Sequence, residues 1–397
     1  MLALNKNLQK LTSIAQKPEK LGIGLMSGTS LDGLDIALCS FTGSGLQTQF
    51  KLLNFITIPY KDDFKQQVQQ VFANRHADLE KVCLLNAFTG TFHGELVLQA
   101  LREWNIAPQT VDFIASHGQT IYHAPKRLHK QAGYPNATLQ IGDGDHLAMK
   151  TGTITISDFR QKHIAAGGEG APLALYGDVL LGSQPGENRI LLNIGGIANL
   201  TWLPADGNYK NILCTDIGPG NTLIDAACRK YFDKPFDEDS EIALSGKVND
   251  ALLAALLSHP FFEEAAPKTT GPELFSLNYI ENAQQISGTG NISNQDLVCT
   301  LSAFTAQSIV DFIRKSFDRD NIKIFTSGGG ARNIYIDSYL RKAFPQFTIA
   351  GTNALGIDPD AKEAILFALL GNEALCGQPM IIGDNPAVLM GKFSFPA

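Results

Sequence analysis

Leu21-Gly22-Ile23-Gly24-Leu25-Met26-Ser27-Gly28-Thr29-Ser30-Leu31-Asp32-Gly33-Leu34-Asp35-Ile36-Ala37-Leu38-Cys39-Ser40-Phe41 contains two apolar runs, about Leu21 to Met26 and Leu34 to Phe41, on either side of a Gly/Ser/Thr/Asp turn. Runs this close must pair as a hairpin, because a parallel crossover needs a dozen residues or more. Phe50 to Ile58 reads as a third strand. From Asp78 to Trp104, Val82, Leu85, Phe88, Phe92 and Leu96 recur at spacings of three and four, which predicts one long amphipathic helix with a bend near Gly90 or Gly94. Val111 to Ser116 predicts a short strand leading into a His/Gly/Gln loop. Thr153 to Ser157 predicts another, leading into a long glycine-rich loop up to Pro172.

The second half begins in the same way. Arg189 to Ile194 and Ile197 to Leu203 are strands joined by Gly195-Gly196. Ile212 to Thr215 runs into Asp216-Ile217-Gly218-Pro219-Gly220-Asn221 with a helix after it. Asn294 to Phe317 is a long helix, and Ile322 to Thr326 a strand ending at Ser327-Gly328-Gly329-Gly330. A last helix opens at Asp358-Pro359 and runs to Cys376. This alternation specifies an α/β fold with central mixed sheets. Two similar halves, each led by a hairpin, are expected to face each other across a cleft. The expected division is an N-terminal extension (1–20), an N-terminal lobe (21–187) and a C-terminal lobe (188–397), whose final segment is free to pack back on the first lobe.

Composition narrows the function. Over 397 residues, 44% are hydrophobic and 18% charged, which excludes disorder for the bulk of the chain. The 32 Lys+Arg against 39 Asp+Glu leave a net charge of −7, a poor match to nucleic acid or an anionic membrane. An anionic small molecule is still admissible, since backbone N–H groups can bind phosphate. Cys39, Cys83, Cys214, Cys228, Cys299 and Cys376 form no C-x-x-C pair, which argues against a zinc site or a disulfide framework. The lysine-bearing first twenty residues have no apolar core of a secretory signal, and a cytoplasmic location is expected.

Three glycine-rich turns carry most of the chemistry. Gly28, Thr29, Ser30 and Asp32 lie in a turn with enough N–H groups and hydroxyls to hold phosphate, and Asp32 is placed to hold magnesium directly or through water. A plain small-residue hairpin is the competing reading. Gly195-Gly196 suits a second phosphate clamp, and Gly328, Gly329 and Gly330 suit the nucleoside end of a nucleotide. Asp216 reads either as a general base near a strand end or as the cap of the following helix. Gln119 and Arg160 are candidates for a polar or anionic substrate. His117, His123 and His129 lack a metal-binding spacing and read as structural or substrate-contacting. Glu363 reads either as an ordinary exposed charge or as a cleft residue.

Together the motifs are specific. Gly24-Leu25-Met26-Ser27-Gly28-Thr29-Ser30-Leu31-Asp32-Gly33, Ser116-His117-Gly118-Gln119-Thr120, Asp158-Phe159-Arg160, Gly170-Ala171-Pro172-Leu173, Asn193-Ile194-Gly195-Gly196, Gly218-Pro219-Gly220-Asn221, Pro267-Lys268-Thr269-Thr270-Gly271 and Gly328-Gly329-Gly330 occur in this order. From about residue 21 onward the chain resembles the anhydro-N-acetylmuramic acid kinases. The resemblance implies two actin-like, ribonuclease H-like lobes with the active site in the interlobe cleft, and a role in peptidoglycan recycling. It implies ATP with Mg2+, Asp216 as the base, and phosphate or metal contacts from Gly28, Thr29, Ser30, Asp32, Gly195 and Gly196. It also implies Gly328 to Gly330 beside adenosine and Arg160 and Glu363 on the sugar, to which the residues themselves add His117 and Gln119 as further candidate substrate contacts. The expected partners are the sugar and ATP, with a homodimer as an option and neither nucleic acid nor membrane. The chain departs from the usual family pattern at Gln161-Lys162-His163, at Glu169 and at Ala174-Leu175. A kinase of the same fold for another sugar or acid is the alternative, and a catalytically silent nucleotide-binding regulator is a second.

Overall fold

The computed structural model describes residues 5–317 and 321–397. In chain order its strands are β1 (Glu19–Ser27), β2 (Gly33–Thr42), β3 (Gln49–Pro59), β4 (Phe113–Ala124), β5 (Ala137–Ile141), β6 (Thr155–Ser157), β7 (Asn188–Ile194), β8 (Ile197–Leu203), β9 (Leu213–Pro219), β10 (Ile322–Ser327), β11 (Thr348–Gly351) and β12 (Lys392–Ser394). The chain forms two compact units, Met1–Leu181 with Gly356–Ala397, and Gly182–Leu355. The division falls a few residues before the expected boundary at 187/188. The stretch from Gly356 onward, the final segment of 188–397 expected to be free to pack back on the first lobe, belongs to the first unit.

In the first unit the sheet order is β12-β6-β4-β1-β2-β3, with β5 paired to the far half of β4. β1, β2 and β3 form an antiparallel meander, and β4 and β6 run parallel to β1. β1 is buried along almost its whole length, as a central strand should be, whereas β3 shows the alternation of an edge. Glycines let the helix Lys362–Cys376 lie close on this sheet. A Cβ on Gly24 would stand 1.9 Å from the Ala364 carbonyl oxygen, and one on Gly371 would stand 2.6 Å from the Phe113 ring. The same helix is tied to the β2–β3 loop, where its buried Glu373 carboxylate accepts the Gly45 N–H at 3.0 Å. The helix Leu79–Glu103 is the long amphipathic one expected. Its Gly90 and Gly94 mark a close approach: added Cβ atoms would stand 2.4 Å from the Asp143 carbonyl and 2.8 Å from the Lys150 side chain.

The second unit repeats the order as β11-β10-β7-β8-β9, again an antiparallel meander beside parallel strands. Both units are thus mixed-sheet α/β lobes of the class the resemblance implies. The helix Asn294–Ser316 is long and apolar enough to cross a membrane, but 78% of its apolar window is buried in the protein. It is the central helix of the second core, with Leu297, Leu301, Phe304 and Ile309 at most 2% exposed.

Three segments depart from expectation in ways that matter for chemistry. The His117-Gly118-Gln119 stretch is not a loop. β4 continues through it with a bulge, since Leu25 pairs with Ser116 but Ser27 with Gln119. Gly118 takes φ +72° there, a conformation that costs glycine little. The segment after Ser157 is not all loop, because Phe159–Ala165 is helical. The last helix begins at Lys362, so Pro359 precedes it.

Candidate active site

In the first unit, polar side chains gather at the carboxyl ends of β1 and β4, where the strand order reverses; open α/β sheets bind ligands at such points. The buried Ser27 hydroxyl donates to Gln119 Oε1 at 2.5 Å. It therefore accepts from the Tyr60 hydroxyl at 2.7 Å, which in turn accepts from His93 Nε2 at 2.9 Å. Gln119 Nε2 donates to the carbonyls of Gly28 at 3.3 Å and Thr120 at 3.1 Å. Gln119 is 0% exposed and engaged within the protein, where it braces the Gly28 turn. Above it the turn closes through Leu31, at φ +56°, whose N–H donates to the Gly28 carbonyl. Thr29, Ser30 and Asp32 are left exposed. Asp32 Oδ1 accepts from Ser30 Oγ at 2.9 Å and from the Gly33 N–H at 3.1 Å.

The β4 bulge brings His117 to Arg160. His117 Nε2 accepts from Arg160 Nε at 3.1 Å and Nη2 at 3.0 Å, so the ring proton resides on Nδ1. Burial, assisted by the Arg160 charge, holds the His117 pKa down to about 3. The buried ring lies 4.8 Å from Phe367, tilted to it, and His117 holds Arg160, which is the structural one of its two expected readings. Arg160 Nη1 donates to the Gly170 carbonyl at 2.7 Å. Glu363 stays accessible, and its carboxyl pKa is raised by the protein packed around it and by Asp35, against the pull of Arg160 and Lys362. Lys362 pairs with buried Asp178 at 2.9 Å. Asp35 accepts from Thr57 Oγ1 at 2.6 Å, and burial followed by Asp32 and Asp360 raises its pKa.

In the second unit, three glycine turns distant in sequence abut at the carboxyl ends of β7 and β10. The Gly195 carbonyl accepts the Asn221 N–H at 2.8 Å, and the Gly196 carbonyl accepts the Gly220 N–H at 2.8 Å and Thr222 Oγ1 at 2.7 Å. A Cβ on Gly220 would stand 2.2 Å from the Gly195 carbonyl oxygen, and one on Gly330 would stand 2.3 Å from Ile194 Cγ2. Gly196 and Gly329 remain exposed beside the start of the helix Thr222–Phe232. Its cap residue, Asn221, makes no side-chain capping bond. Tight backbone at a helix N-terminus is a phosphate-binding arrangement.

Asp216 lies inside β9, at a second bulge: Asn199 pairs with Asp216 but Ala198 with Gly218. It does not cap the following helix. Its Oδ2 accepts the Thr270 N–H at 2.9 Å, and its own N–H donates to the Lys268 carbonyl at 3.0 Å. The side chain is half-buried. Burial raises the carboxyl pKa, the Thr270 bond lowers it, and the nearby Glu273 raises it again. A carboxylate whose pKa is raised is a stronger proton acceptor than an ordinary one. Lys268 Nζ turns to the Phe261 carbonyl at 2.6 Å and lies 4.1 Å from the Phe261 ring centre.

Among the described residues no three His, Cys, Asp or Glu side chains form a metal cage. Magnesium does not require one: one or two carboxylates, water and substrate phosphates suffice, and exposed Asp32 fits that donor set. Two of the atypical segments are bonded locally. Gln161 Nε2 donates to the Thr138 carbonyl at 2.6 Å, and Glu169 pairs with Arg127 at 3.1 Å. Tyr60, His93, Asp35 and Glu273 were not picked out in the sequence. Of these, Glu273 lies two residues beyond the Pro267-to-Gly271 motif.

A family model described as anhydro-N-acetylmuramic acid kinase matches residues 20–390. The anhydro-N-acetylmuramic acid kinase of Pseudoalteromonas atlantica is 50% identical over 400 residues, covering 99% of this chain and 100% of the relative. That of Caldanaerobacter subterraneus is 38% identical over 397 residues, covering 98% and 100%. Among solved structures, a ROK family glucokinase from Streptomyces griseus in complex with glucose and AMPPNP is 12% identical, with a TM-score of 0.34 over 88% of this chain and 98% of that one.

Proposed function

The chain belongs to the anhydro-N-acetylmuramic acid kinase family, and from that membership we propose that it opens the 1,6-anhydro bridge of anhydro-N-acetylmuramic acid with water and transfers the γ-phosphoryl group of ATP to O6. The products are N-acetylmuramic acid 6-phosphate and ADP, and the setting is cytoplasmic peptidoglycan recycling. The observation that carries this reading is Asp216: a half-buried carboxylate with raised pKa, held by one backbone N–H and, among the described residues, paired with no cation.

In this reading Asp216 takes a proton from water as its oxygen bonds to C1. The C1–O6 bond breaks, and O6 attacks the γ-phosphorus while ADP leaves. Phosphoryl transfer asks mainly for positioning and charge stabilisation. The N–H groups and hydroxyls of Gly28, Thr29 and Ser30 and the Gly195-Gly196 turn bind phosphate oxygens. Gly328, Gly329 and Gly330 lie along adenosine. Asp32 holds magnesium, which when bound neutralises charge on the phosphates. Arg160 and Glu363 orient the sugar, while His117 acts behind Arg160 and Gln119 behind the Gly28 turn.

Mass spectrometry of the product formed in 18O-labelled water tests the reading. One labelled oxygen at C1 together with a phosphate on O6 is expected. A phosphorylated product without the label, or phosphorylation of plain sugars in preference to the anhydro-sugar, would overturn it.

A further inference from the structure

Arg160 is held from two sides. His117 takes its Nε and Nη2 protons, and the Gly170 carbonyl takes one from Nη1 at 2.7 Å. What fixes Gly170 lies farther back. Its N–H donates to His163 Nδ1 at 2.9 Å. Gly170 adopts φ +83°, and a Cβ there would stand 2.9 Å from the Ile164 side chain, so the peptide is held in a geometry that glycine alone meets easily.

His163 is 0% exposed. Since Nδ1 accepts, Nε2 carries the proton and donates to Asn385 Oδ1 at 3.1 Å. The Asn385 amide is oriented by its Nδ2 donating to the Ile382 carbonyl at 3.0 Å. The imidazole meets the Tyr176 ring edge-on at 5.9 Å, and a Cβ on Gly168 would lie 2.2 Å from its Cε1. The ring is thus boxed in, with one acceptor aimed at one N–H.

We infer that His163, backed by Asn385, is a positioning residue that sets the Arg160 guanidinium for the sugar through the Gly170 peptide; this rests on the assignment of Arg160 as a sugar contact. The neutral ring is the working form, because a proton on Nδ1 would remove the acceptor. Burial and the Arg160 charge both lower the His163 pKa, against the Asn385 bond.

The test compares His163→Leu, His163→Asn, Arg160→Gln and the Arg160→Gln/His163→Leu double variant by steady-state kinetics on the full chain. Loss of one positioning hydrogen bond predicts that His163→Leu raises the KM for the anhydro-sugar about tenfold. The KM for ATP should not change. His163→Asn, which keeps an acceptor near the Nδ1 position, should stay within about threefold of wild type. In the double variant the second substitution should add nothing, because both act through one guanidinium. An unchanged sugar KM in His163→Leu, an equal rise for sugar and ATP, or additive effects in the double variant would overturn the inference. An unchanged sugar KM in Arg160→Gln would strike the assignment of Arg160 itself, and is read separately from the His163 variants. If His163→Leu does not fold, Asn385→Ala replaces it under the same criteria.

Discussion

The guanidinium of Arg160 reaches a single atom of His117 through two N–H groups, with Nε at 3.1 Å and Nη2 at 3.0 Å from Nε2. His117→Phe would keep a ring against Phe367 but leave both donors without their acceptor. Unsatisfied buried donors cost about 1–3 kcal/mol. A matching drop in stability is expected in denaturant unfolding at pH 7, and an unchanged midpoint would show that this bond contributes nothing to the fold.

Acid should weaken the protein through its buried imidazoles. His93 and His117 have pKa values held down to about 3 by burial, while an unfolded histidine titrates near ~6.5. Between these values the unfolded chain binds protons that the folded one does not. Stability therefore falls as pH drops from about 6.5 towards about 3, and this contribution is constant above that window. In melting curves at pH 7.5 and 5, His93→Gln should lose less Tm than the wild type. Equal losses would count against the assignment.

Asp216→Asn removes the proton acceptor and should lower kcat by about 10²–10⁴. Calorimetry should still detect ATP binding. Turnover near the wild-type rate would take Asp216 out of the mechanism. Glu273→Gln removes a negative neighbour that raises the Asp216 pKa, so the acid limb of kcat/KM should move to lower pH. A limb that stays in place would mean that Glu273 has no hold on the base.

Gly220→Ala tests the abutting turns. Its Cβ would stand 2.2 Å from the Gly195 carbonyl oxygen, so backbone must move. Overpacking of this kind costs about 1–3 kcal/mol, and nucleotide affinity should fall with it. Normal nucleotide titration in a stable Gly220→Ala protein would place the phosphate site elsewhere.

The sequence reveals the hairpins plainly, because two apolar runs joined by a short turn have one way to pair. The long helices declare themselves by spacing. The bulges do not. An extra residue at Gly118 or Ile217 is defined only by the partner strand, so His117 and Gln119 read as loop and Asp216 as a strand end. The motifs locate the exposed turn residues but not their supports. Ser27 and Tyr60 meet only through the β1–β2–β3 meander, and no local pattern records that His93 completes their chain. Gly90 and Gly94 suggest a bend when seen alone. Their reason is the neighbouring segment 143–150, which a linear reading does not place there.

Residues 182–355 are continuous, whereas the sheet around β1 also needs the helix Lys362–Cys376 and β12. On the ribosome, the later-starting core therefore has all of its strands first. The β1–β4 face, begun earlier, keeps apolar side chains bare until the helix that rests on Gly24 has emerged. A nascent chain arrested before residue 356 would carry one closed core and one open one, and the open one is where a chaperone would find something to hold.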